Sequence, residues 1–151
     1  ENIFWVLAGE GPSKKFLLQE TKDISNVLVL PLQPVEKMNL WLNFADIHLL
    51  PQKLAVDDLV LPSKLLGILA SGRPIISISA EESELGSIAN IAGINLKNPD
   101  VDEFINAVKT LSCDEELRVE LGKKARKLAV SRFDKKIIFD DFEKEIFKLY
   151  Y

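Results

Sequence analysis

The sequence predicts an α/β domain of the doubly wound kind, with a mainly parallel sheet of about five strands. Three observations carry that expectation. Short apolar runs such as IFWVLA, NVLVL and PIISIS alternate along the chain with segments of helical spacing. Those runs are dominated by apolar residues rather than alternating with polar ones, as buried strands are. Glycine and proline stand between most strand and helix patterns, as at GEGP, PLQP and SGRP.

In chain order, Ile3 to Ala8 reads as the first strand, and it runs into the loop Gly9, Glu10, Gly11, Pro12 ahead of a helical pattern at FLLQETKD. Strand, Gly-x-Gly, helix is a geometry in which backbone amides can approach a phosphate, although a lone Gly-x-Gly equally serves as an ordinary βα turn. Glu10 would repel a phosphate unless it meets a sugar hydroxyl or an amine. Asn26 to Leu30 is the second strand, closed by Pro31, Leu32, Gln33 and Pro34, and Val35 to Phe44 has helical spacing with Met38, Leu42 and Trp41 facing inward. Ala45 to Pro51 is the third strand. His48 within it is the only histidine and reads as a core or interstrand residue satisfied by a neighbour rather than as a catalytic base. Gln52 to Val60 is a loop carrying Lys53, Asp57 and Asp58, whose acidic pair fits a solvated loop better than a sugar-positioning one.

Leu61 to Ser79 (LPSKLLGILASGRPIISIS) is the stretch on which the chain centres. Pro62 suits the first helical position and Leu61 cannot cap, so the first-turn amides, including those of Ser63 and Lys64, have no side-chain acceptor at the usual place. Such an N-terminus attracts an anion, and Lys64 adds a full charge. Leu65, Leu66, Ile68, Leu69 and Ala70 bury the helix, Gly72 ends it, and Pro74 opens a fourth strand. The same residues are also ordinary helix punctuation, and both readings stay open at this level.

A helix from the polar run Ala80 to Glu84 through about Ile91 follows, stopped by Gly93, and Gly93 to Leu96 is a short fifth strand. Asn98, Pro99 and Asp100 make a capped start for a helix Val101 to Leu111, with a stripe of Val101, Phe104, Ile105, Val108 and Leu111. Asp114 begins a further helix, Glu115 to about Arg132, with Leu117, Leu121, Ala125 and Leu128 on one face and Lys123, Lys124, Arg126 and Lys127 on a solvated one. The last segment carries Phe133, Ile137, Ile138, Phe139, Phe142, Ile146, Phe147 and Leu149, a stripe that needs a partner, either within this chain or beyond it.

At 151 residues with 47 % hydrophobic content the chain is expected to form one domain, residues 1–151. Nineteen basic against 23 acidic residues give a net charge of −4, which excludes a general field for nucleic acid or an anionic membrane and leaves phosphate affinity to local features. One cysteine, Cys113, excludes an internal disulfide, no Cys/His cluster has metal-site spacing, and no apolar run reaches the roughly 20 residues of a membrane span. A cytoplasmic setting is expected. The start at Glu1 within a strand leads us to expect a piece of a longer protein.

The run PSKLLGILASGRPI is similar to the PSK-x-x-E-x-M-A-x-G-x-P-V block of family 4 glycosyltransferases, with Pro62, Ser63, Lys64, Ala70, Gly72 and Pro74 matching. Gly9 to Pro12 resembles the family's G-x-G-P loop. Leu121, Gly122, Ala125, Arg126, Ala129 and Phe133 fit its LG-x-x-AR-x-x-A-x-x-x-F block, so the likeness covers nearly the whole chain in order. The resemblance implies the Rossmann-like C-terminal half of a GT-B glycosyltransferase, a retaining enzyme moving a sugar from a nucleotide diphosphate sugar to an acceptor hydroxyl, closest to those that build bacterial cell-surface polysaccharides. It implies a donor site of Gly9, Glu10, Gly11, Leu32, Gln33, Pro62, Ser63, Lys64, Leu65 and Gly67, with the 32–33 loop near the nucleobase, and neither cofactor nor metal.

The implied partners are the donor and an N-terminal acceptor domain of the same protein, without nucleic acid; peripheral membrane association of the complete enzyme is compatible with the likeness. Two departures stand out. The family's ribose-binding Glu falls on Gly67 and its first Glu on Leu59, and the family's diphosphate-binding Arg and Lys lie in and after a strand that would precede Ile3. This piece alone is therefore expected to be inactive. The alternatives are a GT-B sugar-nucleotide epimerase and a non-catalytic nucleotide-sugar-binding or assembly domain.

Overall fold

The computed structural model describes residues 3–52 and 61–150. The positions of Lys53, Asp57, Asp58 and Leu59 lie outside the described residues. All five strands are present and every pairing is parallel, in two ladders, β1 with β2 and β3-β4-β5. Two compact units result, Glu1–Trp41 and Leu42–Tyr151.

In the first unit β1 (Trp5–Ala8) pairs with β2 (Val27–Leu30), Trp5 opposite Val27 and Ala8 opposite Leu30, with α1 (Lys14–Thr21) as the crossover between them. A 3-10 turn, Val35–Lys37, leads into α2 (Met38–Phe44). The segment expected as one helix is thus a tighter turn followed by two turns of α-helix. Met38 is exposed rather than inward, Trp41 is half-buried, and only Leu42 packs on the core of the second unit.

In the second unit β4 (Ile75–Ile78) is central, flanked by β3 (His48–Pro51) and β5 (Gly93–Leu96), with His48 opposite Ile75 and Ile75 opposite Gly93. A central parallel strand is covered on both faces, and Ile75, Ile76 and Ser77 are accordingly buried. The buried serines within and just after this strand, Ser77 and Ser79, need partners. The hydroxyls of Ser77 and Ser79 both donate to Asn95 Oδ1, at 2.6 and 2.8 Å, and the Asn95 amide returns a bond of 3.3 Å to the Ser79 carbonyl.

Helix α3 (Ser63–Ser71) lays Leu65, Ile68 and Leu69 into the core with Ile75, Leu85, Ile88, Ala92 and Ala125. Burial of each large aliphatic side chain contributes about 1.5–3 kcal/mol. The helix ends at Gly72, whose φ of +68° is the left-handed conformation that favours glycine. Against this cap packs α6 (Glu115–Arg132): a Cβ on Gly122 would sit 2.1 Å from the Gly72 carbonyl oxygen. Leu121 and Ala125 are buried on either side, and the Arg126 guanidinium donates to the Ala70 carbonyl at 2.7 Å, satisfying an orphan acceptor at the end of α3.

Helix α4 (Glu84–Ala92) is capped by the Ser83 hydroxyl, which accepts from the Gly86 amide at 3.0 Å. Helix α5 (Val101–Cys113) starts with a capping box, Asp100 accepting from the Glu103 amide at 2.8 Å and Glu103 accepting from the Asp100 amide at 3.2 Å. Asn98 takes a φ of +50° in the turn before it. The expected stripe on α5 is only half right: Val108 and Leu111 are buried, with Ala107 beside them, whereas Val101 and Ile105 are exposed because the first turns run past the edge of the core. Helix α7 (Lys135–Tyr150) leaves Ile138, Phe139, Phe142, Ile146, Phe147 and Leu149 exposed, so its stripe is not covered within the described residues. Among those residues no helix is long and apolar enough to cross a membrane.

Gly122→Ala should destabilise the protein by about 1–3 kcal/mol, since a Cβ there forces the two backbones apart, and Asp100→Ala by about 1 kcal/mol through loss of the cap. Thermal or denaturant unfolding checks both. A Gly122→Ala protein as stable as the parent would show that the close approach is not a constraint.

Candidate functional site

The ten candidate residues fall in two groups, one in each unit. In the first, Gly9 follows β1 and its amide donates to the Leu30 carbonyl at 3.2 Å, so the loops after β1 and β2 lie side by side. A Cβ on Gly9 or Gly11 would meet nothing within 4 Å, so packing does not demand glycine here and the space above the loop is open. Glu10 meets an amine: its carboxylate pairs with the Lys14 ammonium, four residues on at the start of α1. That hydrogen bond and charge hold the carboxyl below its usual pKa, helped by the Leu32 backbone amide. Lys14 was not singled out in the sequence, although an acidic residue four positions before a basic one is the signal that would have found it. Leu32 is exposed, and Gln33 folds back to donate to the Pro31 carbonyl at 2.9 Å.

The second group sits on α3. Pro62, expected as the first helical residue, instead takes the capping position, with φ −60° and ψ 126°, and provides no side-chain cap. Its carbonyl accepts from the Leu65 amide at 2.9 Å, while the Leu65 side chain is fully buried. Ser63 and Lys64 are exposed, and among the described residues Lys64 makes no ion pair. The uncapped amides and a cation without an ion pair among the described residues thus lie together, and Leu65 is removed from the exposed group because its side chain turns inward. Since α3 ends beside the first residue of β4, its N-terminus points to the carboxyl ends of the strands, where open parallel sheets bind ligands.

Gly67 lies further along the same helix. A Cβ there would meet Leu42 Cδ1 at 3.0 Å, so the place of a ribose-binding carboxylate is bordered by a leucine from α2. His48 is half-buried rather than part of the core and is satisfied by a neighbour, as expected: Nε2 lies 2.9 Å from the Leu42 carbonyl oxygen. Burial lowers its pKa, the Leu42 hydrogen bond opposes that, and the Arg73 charge adds to the lowering. Among the described residues no group of three or more His, Cys, Asp or Glu side chains could hold a metal ion.

No protein-family model matches the chain. Over 90 residues, 58 % of this chain, it is 32 % identical to an Escherichia coli (strain K12) protein named "Putative colanic acid biosynthesis glycosyl transferase WcaI", of which it spans 22 %. In fold it is similar to sucrose-phosphate synthase (tll1590) from Thermosynechococcus elongatus, with a TM-score of 0.77, 17 % identity, and coverage of 96 % of this chain and 38 % of that one. It is similar also to Anabaena Alr3699/HepE in complex with UDP, with a TM-score of 0.73, 12 % identity, and coverage of 97 % and 41 %. WaaG, a glycosyltransferase involved in lipopolysaccharide biosynthesis, aligns with a TM-score of 0.63 and 19 % identity over 85 % of this chain and 34 % of its own. The chain therefore spans less than half the length of each of these proteins, and it resembles GT-B glycosyltransferases in sequence and in fold.

Because the folded state lowers the pKa of His48, it disfavours the imidazolium relative to the unfolded chain. The contribution of His48 to stability is complete above its ordinary pKa of 6.5 and declines as the pH falls below that value toward the lower folded one. Unfolding measured from pH 7.5 down to 5 should show this decline, and His48→Gln should flatten it. An equal slope in the variant would assign the pH dependence elsewhere.

Proposed function

We propose that this chain is the donor-binding domain of a retaining glycosyltransferase that moves a sugar from a nucleotide diphosphate sugar to an acceptor hydroxyl, in the synthesis of a cell-surface polysaccharide. The observation that carries the reading is the N-terminus of α3, where the Pro62 cap supplies no side-chain acceptor and Lys64 forms no ion pair among the described residues, at the carboxyl end of a parallel sheet. The UDP named with one structural neighbour and the colanic acid and lipopolysaccharide biosynthesis named for two similar proteins support it.

In this reading the diphosphate lies against the Ser63 and Lys64 amides. As the bond from the anomeric carbon to the diphosphate breaks, negative charge grows on the leaving oxygen, and the helix N-terminus and the Lys64 ammonium stabilise it more than they stabilised the intact donor. That difference accelerates the step. Within the first unit, taken by itself, the Glu10 charge is already paired with Lys14 and the loop at Gly9 and Gly11 presents open backbone, features compatible with the donor role that the resemblance gives this loop. Leu32 and Gln33 border the base, and the remainder of the protein supplies the acceptor site and further diphosphate contacts.

Lys64→Ala in the complete enzyme should weaken donor binding about tenfold, the lower end for a charge-assisted bond because the side chain is exposed. Calorimetric titration with UDP checks it, and an unchanged affinity removes the role. Gly67 favours a second reading, a domain that binds nucleotide sugar without catalysis, since it offers no carboxylate to the ribose. Gly67→Glu, paired with Leu42→Ala to clear the 3.0 Å contact, should tighten binding if the site has decayed.

A further inference from the structure

We propose that a second anion site, taking a phosphate group, lies at the opposite end of α3 from the donor site. A cleft of about 340 Å³ opens there between the residues before β3, the α3–β4 turn and the Glu115-to-Arg126 part of α6. That volume suits a small ligand. Its charged lining is Arg73, Arg118, Lys123 and Arg126 against Asp46 and Glu115.

Two features make this more than a solvated surface. First, among the described residues none of the four cations forms an ion pair, in a chain whose net charge is −4 and whose other cations include seven with carboxylate partners. Second, the three guanidiniums are held in place by backbone. Arg73 donates to the Asn43 carbonyl at 2.9 Å, Arg118 to those of Leu111 and Ser112 at 2.7 and 2.9 Å, and Arg126 to that of Ala70 at 2.7 Å. A guanidinium has five N–H donors, so one or two carbonyls leave a preorganised remainder, and its planar fork matches phosphate oxygens.

Asp46 and Glu115 oppose an anion, but the cations outnumber them two to one. They restrict the site to a compact phosphate rather than an extended polyanion. The nine residues of α3 separate this cleft from Ser63 by about 13 Å, so one ligand does not fill both.

The phosphate could be free or belong to a lipid headgroup, and the test separates the two. In the complete protein, inorganic pyrophosphate, orthophosphate and vesicles containing phosphatidylglycerol are each titrated while the amides of Gly72, Arg73 and Val119 are followed by NMR. Lys123 makes no hydrogen bond or ion pair among the described residues, so Lys123→Glu should fold. We expect saturable shifts with a free anion, weakened about tenfold in Lys123→Glu and tightened about threefold in Glu115→Gln, as screened charges at short range imply. Lys64→Ala should leave them unchanged, which keeps this site distinct from the donor reading. Vesicle binding that free anions do not reproduce, lost in Lys123→Glu, assigns the same site to a headgroup. Absence of saturable shifts with all three probes, shifts that survive Lys123→Glu, or shifts that vanish in Lys64→Ala overturn the proposal.

Discussion

The contact of α6 with the end of α3 is the constraint on which the second unit depends. Gly72 must turn left-handed to end α3 immediately before β4, and Gly122 must lack a side chain so that α6 can lie on that turn. With the backbones this close, Leu121 and Ala125 reach the core and Arg126 reaches the Ala70 carbonyl. The residues read as the LG-x-x-AR motif are therefore a seat for α3. That seat lies at the far end of α3 from Ser63 and Lys64, yet it fixes the axis of the helix that carries them. A helix placed from its C-terminus can leave its N-terminus uncapped, and an uncapped N-terminus is what an anion needs.

The electrostatics at the candidate site turn on which charges are already paired. Lys14 and Glu10 neutralise one another, so the Gly-x-Gly loop offers open backbone without a net charge. Lys64 has no such partner among the described residues. At the C-terminal end of α3 the arginines bond backbone carbonyls and, among the described residues, form no ion pair. Gly67 departs from this logic, because the Leu42 methyl rather than a charged group faces it.

Most strand positions were legible as short runs dominated by apolar residues, although only β4 is buried along most of its length, and β5 was found at its observed bounds, Gly93–Leu96. Helix starts at Asp100 and Asp114 were legible for a local reason: a cap is a bond between residues three apart. Burial was less so. Met38, Val101 and Ile105 sit at helical spacing but face solvent, because the reach of the core depends on elements distant in sequence. The separation of the strands into two ladders was hidden likewise, since an apolar run states that a strand is covered but not which strand it pairs with. The α7 stripe shows the same limit from the other side: its pattern demands a partner without naming one. At the site, the uncapped helix start was readable from Pro62 and Leu61, whereas the inward turn of Leu65 and the leucine facing Gly67 required coordinates.

The claim that α3 seats a diphosphate is tested most directly by following backbone amides of the complete protein during titration with UDP, GDP and AMP. The account predicts saturable shifts at Ser63 and Lys64 with one of the diphosphates and none there with AMP. Saturable diphosphate binding that leaves both amides unmoved would contradict it.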